Sequence, residues 1–197
     1  MGSASGRRSP HPAERAADHP AIADVVRAAF ARQPDEVAAF VERIRSSEHF
    51  VPELALIAED DSGLIAHVML SFVGVEGGLR PRILNLTPMS VRPDRQRRGV
   101  GSRLIRDALG RAEAAGQPLV MVEGIPGYYP RFGFEPAIPL GFVSPDPAIP
   151  EDAFLVKRLS GYTPGLAGRI VYPAAFAALG SPPSVPTARP VSRIARR

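Results

Sequence analysis

The stretch from Ile83 to Glu123 constrains this chain more than any other. An apolar extended run, Ile83–Val91 (ILNLTPMSV), enters a polar turn at Arg92–Arg98 and then a long segment from about Val100 to Ala115. In that segment Val100, Leu104, Ile105, Ala108, Leu109 and Ala112 recur at helical spacing and fall on one face. Gly116 supplies a helix stop, and Leu119–Glu123 (LVMVE) reads as a short buried strand. Strand, helix and strand in that order imply a parallel pair joined by a right-handed crossover.

The flanking sequence adds hairpins and helices. Leu54–Glu59 and Leu64–Val75 read as two strands joined at Asp60-Asp61-Ser62-Gly63, a hairpin signal. Before them, Ile22, Val25, Val26, Ala29 and Phe30 keep a helical period, and a second helix follows Pro34 on Val37, Phe40, Val41 and Ile44. Downstream, a short helix is expected at Tyr128–Phe132, then extended residues at Phe134 and Phe154–Leu159. Pro88 is the irregular residue. It has no N–H to give a ladder, so a central strand tolerates it only where pairing fails or a bulge intervenes. The expected class is α/β.

At 197 residues, the chain suits one domain with tails. Residues 1–14 are small, polar and basic and are expected to be disordered. The body spans 15–180, and the Pro- and Ser-rich end, 181–197, is expected to be a disordered tail. That tail holds four arginines and no acid, which accounts for the whole net charge of +4 and leaves the body balanced. The pI near 10 therefore gives little support to a nucleic-acid partner. With no cysteine, disulfides, thiolate catalysis and cysteine metal sites are excluded. Four scattered histidines argue against a histidine metal centre. No apolar run reaches the roughly 20 residues that cross a bilayer, and Met1–Pro20 lacks a signal-peptide centre, so the expected compartment is the cytoplasm.

The chemistry concentrates at Val91–Leu104 (VRPDRQRRGVGSRL). Helix starts normally gather acids, because their free amides carry partial positive charge. Here Arg95, Arg97, Arg98 and Arg103 face only Asp94. Gly99 and Gly101 leave the backbone bare, so their amides can approach an anion closely. The pattern describes a phosphate cradle. A Walker A loop would need Gly-Lys-Ser/Thr, and the one lysine of the chain is Lys157. A dinucleotide site fits less well, since position 104 is Leu, although Glu123 lies where a ribose-binding acid is expected.

These residues resemble the GNAT superfamily of N-acetyltransferases. Gln96-Arg97-Arg98-Gly99-Val100-Gly101 matches the family's Gln/Arg-x-x-Gly-x-Gly/Ala signature, and Tyr129-Pro130-Arg131-Phe132-Gly133-Phe134 is similar to its Tyr-x-x-x-Gly-Phe element. The resemblance implies a GNAT-type acyltransferase fold: a mixed, mostly antiparallel sheet with splayed central strands, flanked by helices. It implies acetyl-CoA as co-substrate and an N-acetyltransferase with a small-molecule or protein amine as acceptor; the alternative is a catalytically silent CoA-binding sensor. The pyrophosphate is expected on Gln96, Arg97, Arg98, Gly99, Val100, Gly101 and Ser102, and the pantetheine beside Met89, Ser90 and Val91. The family's splay is expected near Pro88. Tyr129 matches the tyrosine that protonates the departing thiolate, and Tyr128 is its neighbour in sequence. Glu123 is the best-placed candidate base. His67, inside an apolar strand, reads as a hydrogen-bonded core histidine. Arg131, between Pro130 and Phe132, reads as a surface salt-bridge residue, with service to the cofactor as the alternative. Glu48, His49, Phe50 and Glu53 fall in the family's acceptor loop. No metal and no membrane are expected, and a homodimer is compatible with the pattern.

Overall fold

The strand Gly63–Glu76 (β2) organises the molecule because its side chains alternate between two apolar layers. Val68 and Leu70 enter one layer, and Met69, Val73 and Val75 the other. This computed structural model describes residues 11–79 and 81–179. Among these, Phe50–Asp60 (β1), β2 and Arg82–Val91 (β3) form the antiparallel meander expected from the hairpin signals. Helix Val100–Ala114 (α3) then carries the chain to Leu119–Glu123 (β4), which pairs parallel with β3. The crossover unit is where the sequence pattern puts it.

Further strands extend the sheet on both sides. They are Glu135–Pro136 (β5), Phe142–Val143 (β6), Phe154–Arg158 (β7) and Gly168–Val171 (β8). Among the described residues the sheet has eight strands, ordered β5-β7-β4-β3-β2-β8-β6, with β1 paired to β2. The strand β8 and the short helical turn Ala174–Leu179 were not read from the sequence. Only four residues make β8, and just Ile170 among them is buried, so no alternating pattern announces it.

Helices His19–Ala29 (α1) and Pro34–Arg45 (α2) cover one sheet face, and α3 covers the other. Both begin with proline in the first turn, where its missing N–H costs no bond. Asp35 and Glu36 at the start of α2, with Arg43 and Arg45 at its end, complement the helix dipole. The expected apolar face of α3 is buried as read, and Gly116, at φ 68°, ends that helix.

The N-terminal boundary differs from expectation. Residues 1–10 and 180–197 lie outside the described residues, so the two tails do too, apart from His11–Glu14. These four are ordered along β1: Ala13 bridges Leu56, Ile57 N–H donates to Pro12 O at 3.0 Å, and Glu14 N–H donates to Ala55 O at 2.8 Å. His11 is buried, with Nδ1 2.6 Å from Asp107 Oδ2. Glu14 explains why this segment docks. Its carboxylate accepts from Arg45 Nε at 2.6 Å and from His67 Nε2 at 2.8 Å, with His19 Nε2 at 3.7 Å. His67 is therefore the hydrogen-bonded core histidine expected, and its partner comes from the segment expected to be disordered.

Burial alone would raise the Glu14 carboxyl, but hydrogen bonds and charge from His67 and Arg45 hold it at about 2. A depressed folded-state pKa stabilises fully above the ordinary value near 4.5 and loses that contribution as pH falls toward about 2. Glu14→Gln removes the anion of His67 and leaves Arg45 with only the more exposed Glu42, which typically costs about 3 kcal/mol. We expect a melting temperature about 10 °C lower at neutral pH, and a smaller further loss between pH 4.5 and 2 than in the parent. Thermal unfolding followed across pH checks this; unchanged melting would show that the segment does not dock.

Candidate active site

The sheet opens at its centre. β3 and β4 pair only at Leu84↔Val120 and Asn85↔Met121. Beyond that, Val122 and Glu123 pair with β7, whereas Met89, Ser90 and Val91 pair with β2. The β2–β3 register slips between Val68↔Met89 and Leu70↔Leu86, which leaves Thr87 and Pro88 opposite the single residue Met69. Pro88 therefore sits at a bulge on one side and at the start of the gap on the other. Bulge and splay are the two reasons a central strand can hold a proline, and both operate here.

The gap exposes backbone in a defined way. Arg92 N–H donates to Ile65 O of β2 at 2.9 Å. Strand alternation then turns the N–H and C=O of Val91 away from β2, into the gap. Gln96 Nε2 donates to Val91 O at 3.0 Å, which satisfies the carbonyl and leaves the amide facing outward. The Gln96 side chain thus holds the loop to the strand end.

The start of α3 lies beside this gap. Its N-cap is Gly99, at φ 79°, with no side-chain cap and no acid in the first turn. Arg97 is also left-handed, at φ 60°. Arg97, Arg98 and Gly99 are exposed. Gly101 shows why the second glycine is needed: a Cβ there would lie 2.6 Å from Met89 Cε and 3.2 Å from Val91 Cγ2. The helix can therefore begin directly against the open strand. The cation surplus is smaller than the sequence suggests, because Arg95 pairs with Asp60 at 2.7 Å as well as with Asp94. Asp60 comes from the distant β1–β2 turn, so no local pattern revealed it. Arg97, Arg98 and Arg103 form no ion pair among the described residues.

The two tyrosines occupy different positions. Tyr129 opens the short helical turn Tyr129–Phe132 and is buried. Its ring lies on the backbone of Gly124, where a Cβ would come within 2.1 Å of Cε2. It packs edge-on against Phe134 and Tyr128, and burial pushes its phenol well above the usual range. Tyr128 is half-buried, and its hydroxyl lies 3.4 Å from where a Gly101 Cβ would be. It therefore borders the helix start, whereas Tyr129 sits just beyond the end of β4.

Glu123 ends β4 and is half-buried. Met121 belongs to the α1–α2 layer and Val122 to the α3 layer, so alternation sends Glu123 to the α1–α2 face. Tyr172, just past β8, donates its hydroxyl to Glu123 Oε1. Burial, with a lesser contribution from the charge of Asp146, pushes the Glu123 carboxyl up to about 8. The Ser71 hydroxyl and the Asn85 amide oxygen, cross-strand partners in β2 and β3, are buried without a hydrogen-bond partner among the described residues. Tyr172 and Asp146 were missed in the sequence; each acts across a long chain separation from an irregular segment. Of the expected acceptor-loop residues, Phe50 opens β1 and packs on the α1–α2 layer, while Glu48 and Glu53 are exposed.

No helix among the described residues is long and apolar enough to cross a membrane, and no group of three or more acidic or histidine side chains there could hold a metal. Residues 12–137 match the model of the acetyltransferase (GNAT) domain. The chain is 32% identical over 146 residues, 72% of its own length and 78% of the relative's, to YjhQ, an uncharacterized N-acetyltransferase of Escherichia coli (strain K12). It superposes with a TM-score of 0.76 and 27% identity on the GNAT family N-acetyltransferase YhbS of Escherichia coli in complex with CoA, covering 90% of this chain and 96% of that one. A GNAT family acetyltransferase of Brucella melitensis in complex with acetyl-CoA gives 0.68 and 29%, over 84% and 96% of the two chains. An uncapped, glycine-lined helix start beside splayed central strands thus comes with a matching family model over most of the body: the chain belongs to the GNAT family of acetyltransferases.

Proposed function

We propose that this chain transfers the acetyl group of acetyl-CoA to a primary amine of a small molecule or protein. One observation carries the reading: the β3–β4 gap opens directly beside the uncapped start of α3. The pyrophosphate sits on the amides of Arg97–Ser102, where dipole and cations both favour an anion. The pantetheine runs along Met89–Val91 as an added strand would, and the free Val91 amide polarises the thioester carbonyl. The relatives crystallised with CoA and acetyl-CoA support the same donor here.

The amine enters from the α1–α2 face, where Glu123 lies. Its nitrogen attacks the carbonyl carbon, and Glu123 takes the proton that the nitrogen loses. The C–S bond then breaks, and the departing thiolate takes a proton from Tyr129. A phenol raised by burial is a weak acid, but the same desolvation raises the basicity of a thiolate formed beside it, so the transfer is less uphill than solution values suggest. The test is an amine panel incubated with acetyl-CoA, with released thiol as the readout. Thiol release with no acetylated amine, or none with any acceptor, would overturn the reading.

The tyrosines separate by kinetic signature. Tyr129→Phe keeps the ring on Gly124 and removes the proton, so kcat is expected to fall roughly ten- to a thousandfold with little change in KM for acetyl-CoA. Tyr128→Phe removes a hydroxyl next to the helix start, and its smaller effect is expected in KM. Reversed effects would assign the acid to Tyr128.

Glu123 sets the pH dependence. Its carboxyl is raised to about 8 and must be ionised to accept a proton, so kcat/KM is expected to rise with pH and level off above about 8. An acceptor whose own pKa lies below about 6 removes amine titration from that range. Glu123→Gln should lower the plateau and abolish the limb; a limb that survives would assign it to another group.

A further inference from the structure

The residues that follow β8 lie on the α1–α2 face of the sheet. β8 itself is tied to β2 through Gly74↔Val171 and Val75↔Ile170. A Cβ at Gly74 would lie 3.3 Å from Val171 O, so the two backbones meet closely just before Tyr172. The turn Ala174–Leu179 is seated on α2. Phe176 is buried edge-on against Phe40 with ring centres 5.0 Å apart, and Arg43 Nε donates to Ala175 O at 3.3 Å. Tyr172 stacks on Phe176, with ring centres 5.0 Å apart and planes at 20°. Its ring is therefore held from two sides, by the strand before it and by a phenylalanine anchored in the α1–α2 layer.

That ring carries its hydroxyl to Glu123 at the end of β4. In the order β4-β3-β2-β8, Tyr172 belongs to one side of the β3–β4 gap and Glu123 to the other, so the hydrogen bond joins the two halves of the split sheet. A glutamate has three torsions to settle, and a donor fixed in place selects among the rotamers they allow. The charge that bears on Glu123 among the described residues is the negative one of Asp146, between β6 and β7. From β7 it meets Phe154, and alternation from Ile83 puts the neutral Asn85 of β3 on the same face. Arg43 of α2 is engaged with Ala175 O, and Tyr129 lies in the α3 layer. The Tyr172 hydroxyl thus takes the part that a cation would otherwise play.

We propose that Tyr172 is a positioning residue for acetyl transfer: by donating to Oε1 it turns the Glu123 carboxylate so that Oε2 faces the β3–β4 gap and takes the proton of the attacking amine. The role rests on the reading of Glu123 as the base, and Tyr172 acts through Glu123 without touching acetyl-CoA or the amine. The hydrogen bond favours the ionised carboxyl, against the burial and the Asp146 charge that favour the neutral one. Tyr172 also lies outside residues 12–137, which match the family model, so the shared pattern does not supply it.

Carbon-13 NMR of the full chain with labelled glutamate carboxyls tests the contact without any ligand; the Glu123 signal is the one absent from Glu123→Gln. In the wild type this carboxyl is expected to titrate at about 8. Tyr172→Phe keeps the stack on Phe176 and removes the donor, so the carboxyl is expected to titrate about one pH unit higher. With the amine panel, Tyr172→Phe should move the pH limb of kcat/KM up by the same amount. It should also lower the kcat plateau about three- to tenfold, with KM for acetyl-CoA unchanged. A Glu123 carboxyl that titrates unchanged in Tyr172→Phe would overturn the positioning role and leave Glu123 as the base. A carboxyl that moves while the kinetic limb stays would overturn Glu123 as the base, and the role of Tyr172 with it.

Discussion

The fold turns on a failure of pairing. A sheet this size normally satisfies its central strands on both sides, because an unmet backbone amide in a core costs as much as a lost hydrogen bond. Here β3 and β4 part after two residue pairs, and the rest of the local structure accommodates that break. The bulge at Thr87–Pro88 adjusts the remaining side of β3, and Gln96 satisfies the Val91 carbonyl. Gly101 lets α3 start hard against Met89 and Val91 at the end of β3, so its free amides lie beside the gap.

Much of this was legible because it is local. The crossover unit, the buried face of α3 and the two glycines lie within some forty consecutive residues, where periodicity and turn chemistry point the same way. Pro88 was legible as a conflict, a residue that no regular central strand accepts. What the sequence hid is carried by single side chains meeting across the fold. Glu14 looks like part of a polar terminus until Arg45 and His67 are seen to converge on it. Asp60 reads as a hairpin turn residue, and only the fold brings it to Arg95. Tyr172 follows a four-residue strand with too little burial to leave a pattern, yet it is the residue that contacts Glu123.

The cations beside α3 follow from one economy of charge. Outside the tail the chain is balanced, so unpaired arginines on the body require carboxylates to be placed elsewhere. Several are: Asp60 and Asp94 hold Arg95, Glu135 holds Arg158, and Glu14 with Glu42 holds Arg45. Among the described residues, the cations without an ion pair beside the first two turns of α3 run from Arg97 and Arg98 through Arg103 to Arg106, with Arg131 and Lys157 facing the same flank of the helix. Such a track raises the local concentration of an anionic ligand and orients it along the helix before close contacts form.

Burial acts in the same direction on Glu123 and Tyr129, the residues proposed as base and acid. Both are acids in their neutral form, so desolvation raises both, Glu123 to about 8 and Tyr129 beyond its ordinary range. The two values stay well apart. In the proposed mechanism the carboxylate is free to accept above about 8 while the phenol still holds its proton, so base and acid are in their working forms together. Their side chains lie toward opposite faces of the sheet. Glu123 points from the end of β4 toward the α1–α2 face, whereas Tyr129 packs among Phe132 and Phe134 in the α3 layer. In the proposed mechanism a substrate lying in the β3–β4 gap meets Glu123 on one face and Tyr129 on the other. On that reading the break in pairing that admits the thioester also lies between the two protonic groups, and each keeps the state its environment gives it.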